Sequence, residues 1–364
     1  MEPVVVDYSR CVGAIVPSVL GLSDASWLPE AVDGAKTIVL LVVDGLGWRA
    51  LQDHPTALPN LLRFAGGPTT TVFPATTAAA LTSITTGTSP SQHGLTGYRV
   101  RVEDNVLNVL RWKSEARGVL PPAPAFVQRV EPFCGQHIPI VIKAEHVDSG
   151  FTQAHLRGAD ISAWVTNAAI VANCSRLATQ GHRLIYAYYS RLDEVAHEFG
   201  LLDGAYEAEL RNVDALVAEL RNALPSECAL MVTADHGQVH IEADAWVDLG
   251  SEIESILVAQ SGDARARYLY ARPGAQKELG AVCRERFGEL AWVKTRKELI
   301  EEQWLGQQLG KSVPGRIGDV CLMPFAPVGF VDRAMPRERN LKSAHGAPTT
   351  EEMQVPLLAA RGEI

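Results

Sequence analysis

"TIVLLVVDG", residues 37–45, decides the fold. Five of its first seven side chains are β-branched and none is charged, so the run lacks the apolar–polar alternation of a strand with one wet face. A strand buried on both faces belongs in the middle of a parallel sheet, and the closing Asp-Gly turns the chain at its carboxyl end. Two later stretches have the same form, "RLIYAYYS" (183–190) and "CALMVTADHG" (228–237). Between them "YEAELRNVDALVAELRNAL" (206–224) repeats apolar residues at helical spacing. Strand, helix, strand predicts an α/β protein with a mostly parallel central sheet and helices on both faces. Ligands of such sheets bind beyond the carboxyl ends of the strands, where Asp44, Asp193 and Asp235 all fall.

At 364 residues and 47% hydrophobic content the chain can bury a large core. Its texture divides it into a catalytic α/β region over 1–245 with a lid around 100–160, a small α+β insertion over 246–315, and a return over 316–364. "SEIESILVAQ" (251–260), "RARYLYARPG" (265–274) and "AQKELGAVCRERFGELAWVKTRKELIEEQW" (275–304) read as helix, strand, helix and strand. "RIGDVCLMPFAPVGF" (316–330) reads as the chain rejoining the core sheet.

A net charge of −9 with no basic run excludes a surface built for nucleic-acid polymers or anionic membranes. No run is long and apolar enough to span a bilayer, the start lacks a secretory pattern, and the six cysteines stand singly. These features predict a cytoplasmic protein with reduced thiols. A phosphate-bearing substrate would need local positive charge that the count omits, and bound metal ions supply it.

The titratable residues are weak signals one by one. Asp193 and His197 in "SRLDEVAHEFG" (190–200) are four apart and share a helix face, but so do many solvated Asp–His pairs. Asp235 and His236 in "TADHG" (233–237) fit an ordinary polar turn, and His345 in "LKSAHGAPTTEEMQVPLL" (341–358) fits a solvated loop. Together they are three carboxylates and three imidazoles, the donor set that Zn²⁺ or Mn²⁺ accepts, with Mg²⁺ a further option, and enough for two ions. "VFPATTAAALTSITTG" (72–87) adds a hydroxyl, Thr76 or Thr77, at the start of a helix, where free N–H groups attract an anion.

Five motifs in order carry a resemblance that runs through nearly the whole chain. "VVDGLG" (42–47), "TTAAALTSITTGTSPSQHG" (76–94), "LDEVAH" (192–197), "TADHG" and "SAHGAPTTEEMQVPLL" (343–358) resemble the alkaline phosphatase superfamily, and within it type I phosphodiesterases and nucleotide pyrophosphatases. The resemblance implies an alkaline phosphatase-like fold and two divalent metals, zinc first among them. It implies a threonine nucleophile at a fixed distance before Thr86-Gly87, which selects Thr77. It groups Asp193, His197 and His345 on one ion, and Asp44, Asp235, His236 and the Thr77 oxygen on the other. The substrate implied is a small phosphorylated molecule such as a nucleotide or phosphodiester.

The chain departs from the family pattern at two places. Alanines 78–80 follow Thr77 where Phe-Pro-Asn is usual, and Tyr98 stands where an asparagine usually binds the substrate phosphate, which makes Tyr98 the expected substrate contact. His93 is expected to hold its loop by a hydrogen bond, and Lys143, His146 and His155 to line the lid. A phosphomonoesterase or phosphonate hydrolase of the same superfamily is the alternative reading. A non-catalytic metal- or ligand-binding module is the alternative of another class, disfavoured because every ligand position is filled. "TTAAAL" lacks the pattern of a sulfatase, and the chain is short for a cofactor-independent phosphoglycerate mutase. Oligomeric state leaves no mark in the sequence.

Overall fold

The structure is a computed structural model that describes residues 2–364. Seven strands form the central sheet: β1 (Thr37–Val43), β2 (Ala65–Thr70), β3 (Pro139–Lys143), β4 (Asp160–Trp164), β5 (Leu184–Tyr189), β6 (Cys228–Thr233) and β7 (Gln354–Arg361). Their order is β2-β7-β6-β1-β5-β3-β4. β1 runs parallel to β5 and β6, and β3 runs parallel to β4 and β5. β7 alone is antiparallel to both its neighbours. Every residue of β1, β5 and β6 is buried, as the unbroken apolar runs require of strands covered on both faces. The protein is an α/β fold of the expected kind, and its largest core surrounds this sheet.

Three helices position functional side chains. Arg191–Phe199 follows β5 directly, Gly204–Ala223 packs against it, and Thr77–Thr86 lies beside Pro90–His93 and Gly150–His155. The long helix caps its own start, with the Asp203 side chain accepting from the Ala205 N–H. Helix Thr77–Thr86 is buried at every position, which explains its three alanines: small side chains let the backbone pack closely.

The insertion is larger than the sequence suggested. "SEIESILVAQ" splits into a helix, Gly250–Ile256, and a strand, Leu257–Asp263. That strand pairs with Ala266–Ala271, and the four-stranded sheet continues through Val320–Pro324 to Ala291–Thr295. The stretch expected to rejoin the core sheet is therefore an inner strand of the insertion. The physical reason is that an inner strand of a small antiparallel sheet, covered by the insertion's own core of Leu269, Leu279, Phe287 and Leu322, is as apolar as one of the main sheet. The chain returns to the main sheet only with β7. The expected lid over 100–160 contains the main-sheet strand β3. Before β3, the hairpin strands Arg99–Val102, Asn105–Asn108 and Lys113–Ser114 form a separate three-stranded sheet.

Candidate active site

Asp44 is the first residue after β1, and Asp235 lies two residues beyond β6. Because β1 and β6 are adjacent and parallel, both carboxylates arrive at the carboxyl end of the sheet. The Tyr188 hydroxyl donates to Asp44 Oδ2, and Asp235 Oδ1 accepts from the backbone N–H groups of Gly45 (3.1 Å) and His236 (3.0 Å). Their other oxygens, Asp44 Oδ1 and Asp235 Oδ2, are buried with no hydrogen-bond partner. Both face His236 Nε2, at 3.5 and 3.4 Å. His236 Nδ1 lies 3.0 Å from the Gly237 carbonyl, which assigns the proton to Nδ1 and leaves the Nε2 lone pair facing the carboxylates. Burial, then the nearby Asp235 and Asp193 charges, pushes the Asp44 carboxyl well above its usual range. Burial also raises Asp235 and lowers His236. Two orphaned carboxylate oxygens and an imidazole lone pair converging in a buried pocket fit a divalent cation, which satisfies all three at once.

Gly45 makes this approach possible. It sits at φ +74°, and a Cβ there would fall 2.3 Å from Gln238 Nε2. That amide nitrogen donates to Asp193 Oδ1 at 2.7 Å, while its oxygen accepts from the Ser343 hydroxyl at 2.5 Å.

Asp193 and His197 occupy one face of helix Arg191–Phe199, with His197 Nε2 3.4 Å from Asp193 Oδ1. His197 Nδ1 lies 2.8 Å from the Ser343 carbonyl and His345 Nδ1 2.9 Å from the Ala75 carbonyl, so all three histidines turn Nε2 into the site. Burial, then His236, holds His345 well below the usual imidazole range. Five of the six sequence-predicted ligands form two overlapping clusters, Asp44 with Asp235 and His236, and Asp193 with His236 and His345. His236 lies flat against His345 at 3.6 Å, and it has a ligand atom within 4.8 Å of those of Asp44 and Asp235 and of those of Asp193 and His345. The ring of His197 is 5.4 Å from that of His345, at the edge of the second group.

The threonine pair separates into two roles. Thr77 opens helix Thr77–Thr86, and its Oγ1 lies 3.1 Å from His236 Nε2. Thr76 is the N-cap residue by its backbone, but its side chain caps nothing. It donates instead to Asp263 Oδ1 at 2.9 Å, a carboxylate supplied by the insertion. Asp263 Oδ2 also accepts from the Tyr98 N–H at 3.2 Å, and burial raises this carboxyl to about 6.

Thr77 and Asp193 stand between two cavities. One, of about 190 Å³, is largely apolar, with Leu81, Ile142, Phe151 and Tyr186 in its wall. The other, of about 290 Å³, contains Tyr98, His197, His345, Arg111 and Arg337. Tyr98 therefore reaches the site, with its phenol oxygen accepting from Asn108 Nδ2 at 2.6 Å and its proton left to donate.

His93 holds its loop, with Nε2 2.9 Å from Ser83 Oγ and Nδ1 accepting from the Leu95 N–H. His146 and His155 line the apolar cavity, whereas Lys143 is tied between Glu145 and Glu194, 2.7 Å from each. Sequence reasoning missed Tyr188, Gln238, Asp263, Asn108 and the two cavity arginines. Tyr188 and Gln238 are each next to a motif, the strand end before Asp193 and the residue after "TADHG", and proximity was their only signal. Asp263 had none, because its partners Thr76 and Tyr98 are distant in the chain, and Asn108, ten residues from Tyr98, lies in no motif.

A buried two-carboxylate, histidine-rich cluster beyond the carboxyl ends of a mostly parallel sheet, with a helix-opening threonine, defines a member of the alkaline phosphatase superfamily. The family model of type I phosphodiesterase/nucleotide pyrophosphatase matches residues 38–155 and 144–348, and the chain belongs to that family. Among solved structures, murine ectonucleotide pyrophosphatase/phosphodiesterase 5 is similar at a TM-score of 0.67 and 17% identity, over 90% of this chain and 88% of that one. An inactive threonine-to-alanine variant of the murine protein has been solved in complex with AMP, with a TM-score of 0.65 and 17% identity over 89% of this chain and 87% of that one. Phosphonoacetate hydrolase from Sinorhizobium meliloti 1021, in complex with phosphonoacetate, gives 0.64 and 16% over 91% of each chain. At these identities the likeness is one of fold. No curated protein sequence matches the chain. No helix among the described residues is long and apolar enough to cross a membrane.

Proposed function

We propose that the chain is a two-metal phosphoric ester hydrolase that cleaves a phosphodiester or nucleotide pyrophosphate by attack of Thr77. The observation that carries this reading is the convergence of the Thr77 hydroxyl and of the unpaired oxygens of Asp44 and Asp235 on His236 Nε2. Asp44, Asp235, His236 and Thr77 would hold one ion, and Asp193, His197 and His345 the other. Zinc fits the mixed nitrogen and oxygen donors best, with manganese and magnesium as alternatives. Bound there, the ions supply the positive charge that lowers the hydroxyl pKa and offsets the charge on the phosphoryl oxygens.

The chain's own residues do the rest. Thr77 Oγ attacks phosphorus in line with the departing oxygen, forming phosphothreonine and releasing an alcohol or phosphate-bearing product. Water then cleaves the phosphothreonine and restores the hydroxyl. The first N–H groups of helix Thr77–Thr86 point at the phosphoryl oxygens, and the Tyr98 hydroxyl donates to one of them.

A diester has two substituents, and two cavities meet at Thr77, which favours a diester over a monoester. Arg111 and Arg337 favour an anionic arm in the larger cavity, and that chemistry also suits a phosphonate with a carboxylate. Assays on bis(p-nitrophenyl) phosphate, p-nitrophenyl phosphate and phosphonoacetate, with metal content measured on the same sample, test the reading. Absence of metal-dependent diester cleavage overturns it. A cytoplasmic location belongs to the same proposal, supported by six free cysteines, five of them buried.

A further inference from the structure

A third cavity, of about 690 Å³, opens elsewhere on the molecule and shares no residue with the two at Thr77. Four cations line it, Arg101, Arg129, Lys311 and Arg316, against one acidic residue, Glu103. In a chain of net charge −9 such a concentration is unusual. Arg101 has an acidic partner, Asp104 at 3.5 Å; Arg316 has its guanidinium on carbonyls alone.

Arg316 is 5% exposed. Its Nη1 donates to the Gly94 and Val127 carbonyls, both at 2.8 Å, while Nε and Nη2 have no protein acceptor among the described residues. A Cβ on Gly94 would fall 2.4 Å from that Nη1, so the loop is shaped around the guanidinium. Burial, then the Arg129 charge, brings Arg316 down to about 10. A buried cation beside further cations is destabilised unless an anion joins it, and a guanidinium fork matches phosphate oxygens. Phe126, 46% exposed, lines the same cavity with Arg129 5.3 Å from its ring.

We propose that this cavity is a second anion site, independent of the active-site reading, for a small phosphate-bearing ligand of the pyrophosphate or nucleoside diphosphate class. The guanidinium of Arg316 anchors the phosphate from below, Arg129 and Lys311 close on it from the rim, and Phe126 offers a face to an attached ring.

The test is calorimetric titration of pyrophosphate and of ADP into the full-length, metal-loaded protein, in a Thr77→Ala background so that neither ligand is consumed. Arg129→Ala/Lys311→Ala is compared with the parent; both side chains are exposed, and matching melting temperatures show that the fold is retained. The expected result is one binding event fewer, or one weakened by roughly tenfold or more, in the double variant. Tighter binding of ADP that falls in Phe126→Ala identifies a nucleotide, and equal binding of both ligands identifies a free polyphosphate. Identical isotherms in parent and double variant overturn the proposal. A failure of the active-site reading leaves this comparison intact, because the cavity is lined by other residues.

Discussion

Thr77 Oγ1 lies 3.1 Å from Nε2 of His236, the same nitrogen that faces the unpaired oxygens of Asp44 and Asp235. In its proposed role as nucleophile Thr77 would act through its hydroxyl alone. Thr77→Ala should lower turnover of a diester at least about a thousandfold, roughly 4 kcal/mol in the barrier, with metal content retained. Thr77→Ser should keep measurable activity, and phosphoryl transfer to Thr77 should be seen by mass spectrometry of acid-quenched enzyme. Near-normal rates in the alanine variant would exclude the mechanism.

Without cations the site holds three buried or half-buried carboxylates that repel one another. Chelation should therefore abolish activity and lower the melting temperature, and added zinc or manganese should restore both. Asp44→Asn removes one of the charges, so its chelated form should melt above chelated wild type while its metal content falls. Scanning fluorimetry with elemental analysis checks both halves.

Gln238 connects Asp193 to Ser343, and Ser343 presents its carbonyl to His197. Gln238→Ala should weaken metal binding on the Asp193 side by about 10–100-fold, as loss of an outer hydrogen bond to a ligand typically does. A metal titration followed by activity would show this as a rightward shift with the same plateau.

Asp263 accepts from both the Thr76 hydroxyl and the Tyr98 N–H, so the insertion fixes the turn that leads into Thr77, the proposed nucleophile. Asp263→Ala leaves two buried donors unpaired and should cost about 1–3 kcal/mol of stability. Because the turn loosens, kcat should fall more than KM rises, and Asp263→Asn, which keeps one acceptor, should lie between. An unchanged kcat in the alanine variant would detach the insertion from catalysis.

Two histidines make the fold acid-sensitive. Burial holds His93 at about 3 and His155 at about 4, far below the value of about 6.5 they regain on unfolding. Between those limits the unfolded chain binds more protons. Their contribution is complete above pH 6.5 and is lost as pH falls towards the folded values, at up to about 1.4 kcal/mol per pH unit for each group. Denaturant melts from pH 7.5 to 5 should show this decline. Replacing His155, whose Nδ1 is bonded only to the Phe151 carbonyl, with Gln should make it shallower.

Much of the candidate site was legible because each candidate ligand follows a strand end or repeats along a helix, and such local signals survive in one dimension. Asp44 and Asp235 close apolar runs that must be buried strands, and Asp193 with His197 share a helix face by spacing alone. The insertion's inner strand Val320–Pro324 was misassigned for the converse reason: burial on two faces looks the same in any sheet.

The sequence by itself determined the layered fold and marked the six candidate ligands and the threonine pair, since chemistry and period are written along the chain, while the choice of Thr77 rests on the family resemblance. Tertiary structure alone decided that His236 borders both clusters of candidate ligands, and that Thr76 is bound to Asp263, 187 residues away. It also decided that two cavities flank Thr77 and that four cations gather in a third. These are contacts between distant segments, fixed by how sheets and loops pack, and no local pattern encodes them.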